Sequence, residues 1–150
     1  MSAGRQSQAR ATQRRRRDLF EAAADIIRFE YGDELTLEGV ARRLYASPRQ
    51  LQRAFSEAAQ SGFRAFLTRV RMERARELLC ESPYRVCEVA GAVGYQEPAQ
   101  FAKAFRRVYG VSPSALRRRN GNGDVSALAA DLDTPGGGSA ALVTPRGRGP

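Results

Sequence analysis

Two stretches of the chain repeat the same short pattern of apolar and small residues. The first reads Val40-Ala41-x-x-Leu44 and continues as Leu51-x-x-x-Phe55; the second reads Val89-Ala90-x-x-Val93 and continues as Phe101-x-x-x-Phe105. In each copy, helical spacing on both sides of a short break predicts two helices joined by a tight turn. The small residue in each copy, Ala41 or Ala90, lets the paired helices approach closely. The repeat therefore predicts two helix-turn-helix modules in one chain.

The rest of the sequence predicts an all-α fold of about seven helices. Between residues 18 and 119 the sequence has no strand-like alternation and no hairpin dipeptide. Cap signals such as Ser47-Pro48 and Ser112-Pro113 mark helix starts, and Thr36 and Ser61 are further predicted caps. The predicted helices span residues 18–31, 37–44, 48–59, 62–80, 85–93, 98–109 and 113–119. An earlier start of the first helix, within the arginine run, is the alternative, since nothing between Gln13 and Asp18 forbids a helix. The long central helix 62–80 joins the two modules.

The second helix of each module has an outer face that is a candidate DNA-contacting surface. Successive helical residues turn by about 100°, which predicts inward positions for Leu51, Ala54, Phe55 and Ala58, and for Phe101, Ala104, Phe105 and Val108. The opposite face of the first helix, the first candidate surface, consists of Arg49, Gln52, Arg53 and Ser56. Arginine and glutamine carry forked donor groups that match guanine and adenine in the major groove. For Ser56 an ordinary solvent-exposed role is the simpler interpretation.

The outer face of the second helix carries fewer such groups: Ala99, Ala102, Lys103 and Arg106. An ordinary surface role is again the simpler interpretation for Arg106. The predicted central helix is about 28 Å long at 1.5 Å per residue. Adjacent major-groove segments on one side of B-DNA recur about every 34 Å. A rigid helix of that length is compatible with two modules on successive turns of one groove.

Charge is distributed unevenly along the chain, whose formal net charge is +9. Residues 1–17 contain arginine as their only charged residue type, which predicts a basic flexible arm. Within it the arginine segment, Arg14, Arg15, Arg16 and Arg17, is predicted to contact phosphates, with a solvated tail as the alternative. Residues 120–150 are rich in glycine and proline and lack large apolar residues at regular spacing, so disorder is predicted there.

Other classes of protein find little support in the sequence. The chain has two cysteines, Cys80 and Cys87, and no histidine, so neither a metal site nor a catalytic thiol is expected. Both cysteines are predicted to be small buried residues. No segment approaches the roughly 20 apolar residues of a membrane span, and no secretory signal precedes the fold. The sequence predicts a cytoplasmic protein without a cofactor.

Taken together, the motifs resemble the DNA-binding domain of the AraC/XylS family of bacterial transcription regulators over residues 18–119. The matching residues are Leu37-x-x-Val40-Ala41, Ser47-Pro48-x-x-Leu51-x-Arg53-x-Phe55, Arg71-Met72-x-x-Ala75-x-x-Leu78-Leu79, Val89-Ala90-x-x-Val93-Gly94-Tyr95, Phe101-x-x-x-Phe105 and Gly110-Val111-Ser112-Pro113. The resemblance implies recognition helices at 48–59 and 98–109. It implies base-contacting positions at Arg49, Gln52 and Arg53 in the first module and at Pro98, Ala99, Ala102 and Lys103 in the second.

The resemblance also implies partners. Family members bind double-stranded promoter DNA and activate transcription by contacting RNA polymerase. Many carry a sensor domain for a small molecule, for which this chain has no room. It is more similar to short, stand-alone members, so a nucleoid-associated monomer is expected. An architectural DNA binder with little base preference and a protein-protein adapter remain the alternatives.

Two departures from the family pattern carry expectations of their own. Tyr45 stands in a turn where the family usually has glycine, and a left-handed backbone there strains a bulky residue by roughly 1 kcal/mol. Glu97, Pro98, Ala99 and Ala102 replace the serine cap and polar residues that the family favours at its second recognition helix. The first module is therefore expected to supply most of the base specificity.

Overall fold

The computed structural model describes residues 2–122, where every regular element is a helix. The helices are α1 (Ser2–Glu30), α2 (Leu37–Arg43), α3 (Pro48–Ala58), α4 (Phe63–Glu81), α5 (Val86–Ala92), α6 (Pro98–Tyr109) and α7 (Pro113–Asn122). The predicted all-α fold of seven helices is confirmed over this range. Of the predicted disordered tail, α7 includes residues 120–122, and the remainder lies outside the described residues.

The first helix begins much earlier than the sequence analysis expects. Instead of a flexible arm, residues 2–17 form the first half of α1. Alanine, glutamine and arginine dominate this segment, and all three are good helix formers, so the helix that is needed from Asp18 onward can extend back through it. Residues 2–15 are exposed throughout, so local propensity accounts for this part of α1 without packing.

The described part of the chain divides into two compact units, residues 2–71 and 72–122, with the boundary inside α4. An aromatic cluster forms the centre of the first unit. Phe55 of α3 is fully buried and meets Phe20, Phe63 and Phe66 edge-on, with ring centroids 5.1, 5.5 and 5.4 Å away. Edge-to-face contacts of this kind add to the stabilisation from apolar burial. The core therefore holds α3 directly against α1 and α4.

The second unit repeats the arrangement with different side chains. Phe101 and Phe105 of α6 are fully buried beside Val89, Ala90 and Val93 of the α5 segment. The fully buried Ala41 and Ala90 hold matching places in the two units, as their common position in the repeat predicts. Tyr109 stacks on Phe105 with centroids 4.7 Å apart, and burial raises the pKa of its phenol.

Two of the predicted inward positions are wrong. Ala58 is exposed, and Val108 is 45% exposed. Each lies in the last turn of its helix, and the next residue along the chain, Ala59 or Tyr109, is half-buried instead. Helical periodicity identifies the side of a helix but does not say how far along it the partner elements extend.

The cysteines also differ from expectation, since both are exposed. The apolar residues that fill the core around them are Leu79, Val89 and Ala90, which leaves the thiols of Cys80 and Cys87 on the outer sides of α4 and α5. Within the described part of the chain, no group of three or more acidic or cysteine residues could hold a metal ion. Among the same residues, no helix has the length and hydropathy of a membrane span.

Arginine side chains tie the loops to the helices in both units. Arg71 donates to the backbone oxygens of Tyr31 and Asp33 at 2.7 and 2.8 Å. Arg117 donates to the backbone oxygens of Leu79, Ser82 and Tyr84. In each case the guanidinium group bonds a carbonyl at or beside the end of a long helix, together with carbonyls of the loop that follows. The sequence analysis did not predict either contact.

Candidate nucleic-acid interface

Local hydrogen bonds fix the start of α3. The Ser47 hydroxyl accepts from the backbone N–H of Gln50 at 3.1 Å, and the Gln50 side chain accepts from the N–H of Ser47 at 2.9 Å. This reciprocal capping box, with Pro48 in the first helical position, confirms the predicted start. Thr36 likewise caps α2, by accepting from Gly39 at 3.0 Å.

The other predicted caps give mixed results. Ser112 accepts from the N–H of Ala115 and so caps α7. Ser61 is wrong as a cap for α4, because its buried hydroxyl oxygen makes no hydrogen bond. The first α4 backbone bond instead runs from Phe66 to the carbonyl of Gly62. Glu97 precedes α6 without a side-chain capping bond, as its weak capping ability predicts.

The turns inside the two modules have the same backbone pattern. In the first, the N–H of Tyr45 bonds the carbonyl of Arg42, and that of Ala46 bonds Ala41. In the second, Gly94 bonds Gly91, and Tyr95 bonds Ala90. Both are helix endings with a left-handed residue, Tyr45 at φ 54 and Gly94 at φ 89. Tyr45 therefore has the left-handed backbone on which the strain described in the sequence analysis depends.

Helix α2 is held in place by a bidentate ion pair at the surface. Arg43 donates two hydrogen bonds, of 2.6 and 2.7 Å, to the carboxylate of Glu30 at the end of α1. These bonds and the charge of Arg43 hold the pKa of Glu30 below its usual value. The pair links the C-terminal ends of α1 and α2 in the first unit.

The four residues of the first candidate surface lie on the exposed face of α3 that the helical spacing predicts. Arg49, Gln52, Arg53 and Ser56 are all exposed on α3. None of the four makes a hydrogen bond or ion pair with another residue in the described part of the chain. Because no other described residue engages their polar groups, they are available to a ligand at this face.

Glu57 is the one acidic residue in the sequence of α3, and it is not free. Arg16 of α1 donates to its carboxylate at 2.5 Å. The pair offsets a negative charge that lies one residue from Ser56 on a surface otherwise rich in arginine. Arg16 is therefore set apart from Arg14, Arg15 and Arg17, which are exposed and make no ion pair with a described residue.

The second candidate surface is less polar and less accessible. Pro98, Ala99 and Lys103 are exposed on α6, whereas Ala102 and Arg106 are half-buried. Arg106 also takes part in a contact within the protein. In the register of the repeat, Lys103 matches Arg53, and Ala99 matches Arg49.

Two further residues on α6 belong with this surface and were missed. Gln100 and Arg107 are exposed and flank Lys103 on the side of α6 away from the core. Gln100, Lys103 and Arg107 are three and four residues apart, which places them along one helix face. The spacing of these three polar side chains along one helix face is present in the sequence and identifies Gln100 and Arg107.

A comparison with protein families matches residues 40–119, more than half of the chain, to a helix-turn-helix domain family. The regulatory protein PocR of Salmonella typhimurium is 39% identical over 87 residues. That alignment covers 58% of this chain and 29% of PocR, so the chain spans less than a third of the length of this relative.

Solved structures agree with this assignment. The C-terminal domain of AraT, a response regulator from Geobacillus stearothermophilus, matches with a TM-score of 0.65 and 37% identity, covering 67% of this chain and 84% of that domain. The DNA-binding domain of AdpA, a global transcriptional factor solved in complex with a target DNA, matches with a TM-score of 0.64 and 32% identity. That match covers 71% of this chain and 96% of the AdpA domain.

The fold and the exposed polar face of α3 define a double helix-turn-helix DNA-binding domain of the kind found in transcription regulators. Within that class, the chain belongs to the AraC/XylS family.

Proposed function

We propose that this chain binds double-stranded promoter DNA in a sequence-specific manner as a monomer, with α3 and α6 entering adjacent segments of the major groove. The observation that carries the proposal is the first candidate surface, four exposed polar side chains without partners in the described chain. The similarity to the AdpA domain, which was solved with its target DNA, supports the same partner. Contact with RNA polymerase would then make the protein an activator.

A chemical footprint tests the placement of α3. Arginine in the major groove binds guanine through O6 and N7. We expect the full chain to protect guanine N7 from methylation within a duplex enriched from random DNA by the protein itself. An Arg49→Ala, Arg53→Ala double variant is expected to lose that protection at the guanines that α3 contacts. Protection of phosphates without any change at guanine N7 contradicts base contact by α3.

The two modules are expected to contribute unequally to base preference. Lys103→Ala removes an ammonium group that lacks the planar fork, whereas Arg53→Ala removes a forked guanidinium group. The expected result is a larger change in base preference for Arg53→Ala than for Lys103→Ala, measured by competition between the enriched duplex and single-base variants of it. The reverse order contradicts the dominance of the first module.

Within the arginine segment, Arg14, Arg15 and Arg17 are expected to contact DNA phosphates, and Arg16 is expected to contribute less to that contact. Replacing Arg14, Arg15 or Arg17 by alanine is expected to lower the dependence of log Kd on log salt concentration by about 0.9 for each lost phosphate contact. Arg16→Ala is expected to change that slope less, because Arg16 binds Glu57. Titrations at several salt concentrations measure the slopes. Equal losses for Arg15→Ala and Arg16→Ala contradict the division.

A further inference from the structure

Tyr45 combines a left-handed backbone with a fully exposed aromatic side chain. Its backbone is left-handed, at φ 54, a conformation that strains residues with a Cβ atom. Its side chain is 100% exposed, so no packing within the protein offsets that strain. In the second module the equivalent place is held by Gly94, which has a similar φ and no side chain. The first module thus keeps a strained aromatic residue where glycine would fit.

The position of Tyr45 points to a role at the DNA surface. It lies two residues before Ser47, the cap of α3, and the segment Ser47, Pro48 and Arg49 that follows is exposed as well. In helix-turn-helix proteins the N-terminal residues of the recognition helix contact base edges in the major groove. The residues just before that end therefore lie at the border of the groove, beside the phosphates.

We propose that Tyr45 donates its phenolic hydroxyl to a phosphate of the DNA that α3 contacts, and so seats the first module on the duplex. A tyrosine hydroxyl is one of the neutral donors that proteins use for phosphate oxygens. Strained backbone clusters at binding sites, and the other left-handed non-glycine residue among those described, Gln60, carries no aromatic hydroxyl. The inference rests on the proposed function. It adds a difference between the modules, since Gly94 has no such donor.

Two substitutions separate the hydroxyl from the strain. Tyr45→Phe removes only the hydroxyl and is expected to weaken DNA binding about tenfold, the effect of losing one hydrogen bond to a charged group. Its midpoint of unfolding in urea is expected to match that of the wild type. Tyr45→Gly is expected to weaken binding to a similar extent while raising the midpoint, because glycine adopts this φ without strain.

The measurement uses the full chain and two probes, the duplex enriched by the wild type and a duplex of mixed sequence. Because phosphates are common to all sequences, Tyr45→Phe is expected to lower the affinity for both probes by a similar factor. Replacing the contacted phosphate of the enriched duplex by a neutral methylphosphonate is expected to abolish the difference between Tyr45→Phe and the wild type.

Each other outcome overturns a specific claim. If Tyr45→Phe binds DNA as tightly as the wild type, the hydroxyl does not contact a phosphate. The same conclusion follows if Tyr45→Gly alone binds weakly. Arg53→Ala distinguishes this failure from that of the proposed function. If Arg53→Ala binds weakly and Tyr45→Phe does not, the role of Tyr45 alone is wrong. If neither variant weakens binding, the placement of α3 on DNA is wrong as well.

Discussion

Phe55→Ala is expected to lower the free energy of unfolding by about 3–5 kcal/mol, the cost of replacing a fully buried phenylalanine. The Phe55 ring has 0% exposure and touches three other rings in the first unit, so its loss leaves a cavity that rigid neighbours cannot fill. Denaturation in urea, followed by circular dichroism, measures the change. DNA binding is expected to fall with it, because this core holds the helix that carries Arg49 and Arg53.

Phe29→Ala provides the matched control. Phe29 is 85% exposed on α1, so the same change of residue type there is expected to alter the free energy of unfolding by no more than about 0.5 kcal/mol. If the two variants unfold at the same urea concentration, the aromatic cluster around Phe55 is not the core of the first unit.

Arg53→Ala is expected to weaken binding to the enriched duplex by about 1–3 kcal/mol, roughly five- to 150-fold. The guanidinium group of Arg53 is exposed and has no partner within the described residues, so none of its donors must be released from the protein before binding. Discrimination against the wrong base is expected to fall at one position of the site. Titrations with the enriched duplex and with its single-base variants measure both effects.

Arg53→Lys is the matched variant for this prediction. Lysine keeps the positive charge but lacks the planar fork, so the salt dependence is expected to remain while discrimination at that position is lost. Equal weakening of specific and mixed-sequence binding by Arg53→Ala would instead place Arg53 on a phosphate.

The features that the sequence predicts well are those decided within a few residues. Ser47 caps the start of α3 through hydrogen bonds that reach only to Gln50, and Pro48 occupies the first helical position. Ala41 is buried, as both the helical spacing and its place in the repeat predict. For this reason α2 to α6 begin and end within one residue of the predicted bounds, and Arg49, Gln52 and Arg53 lie on the exposed side of α3 as expected.

The features that the sequence does not predict depend on residues far apart in the chain. The contact between Arg16 and Glu57 joins α1 to α3, and it becomes predictable only once the helical path of residues 2–17 is known. Arg71 of α4 donates to the backbone carbonyl of Tyr31, which lies 40 residues earlier in the chain. Ala58 and Cys80 are exposed although each adjoins a residue that is at least half-buried, Ala59 or Leu79, and local spacing alone does not decide between such neighbours.

Selection of binding sites from random duplex DNA, with the full chain at near-physiological salt, tests the central claim most directly. The account predicts enrichment of a two-box site in which the box contacted by α3 shows the stronger base preference, and in which Arg53→Ala relaxes that box alone. DNA retained without enrichment would contradict base-specific binding and indicate an architectural role, and absence of any retained DNA would indicate a protein-protein adapter.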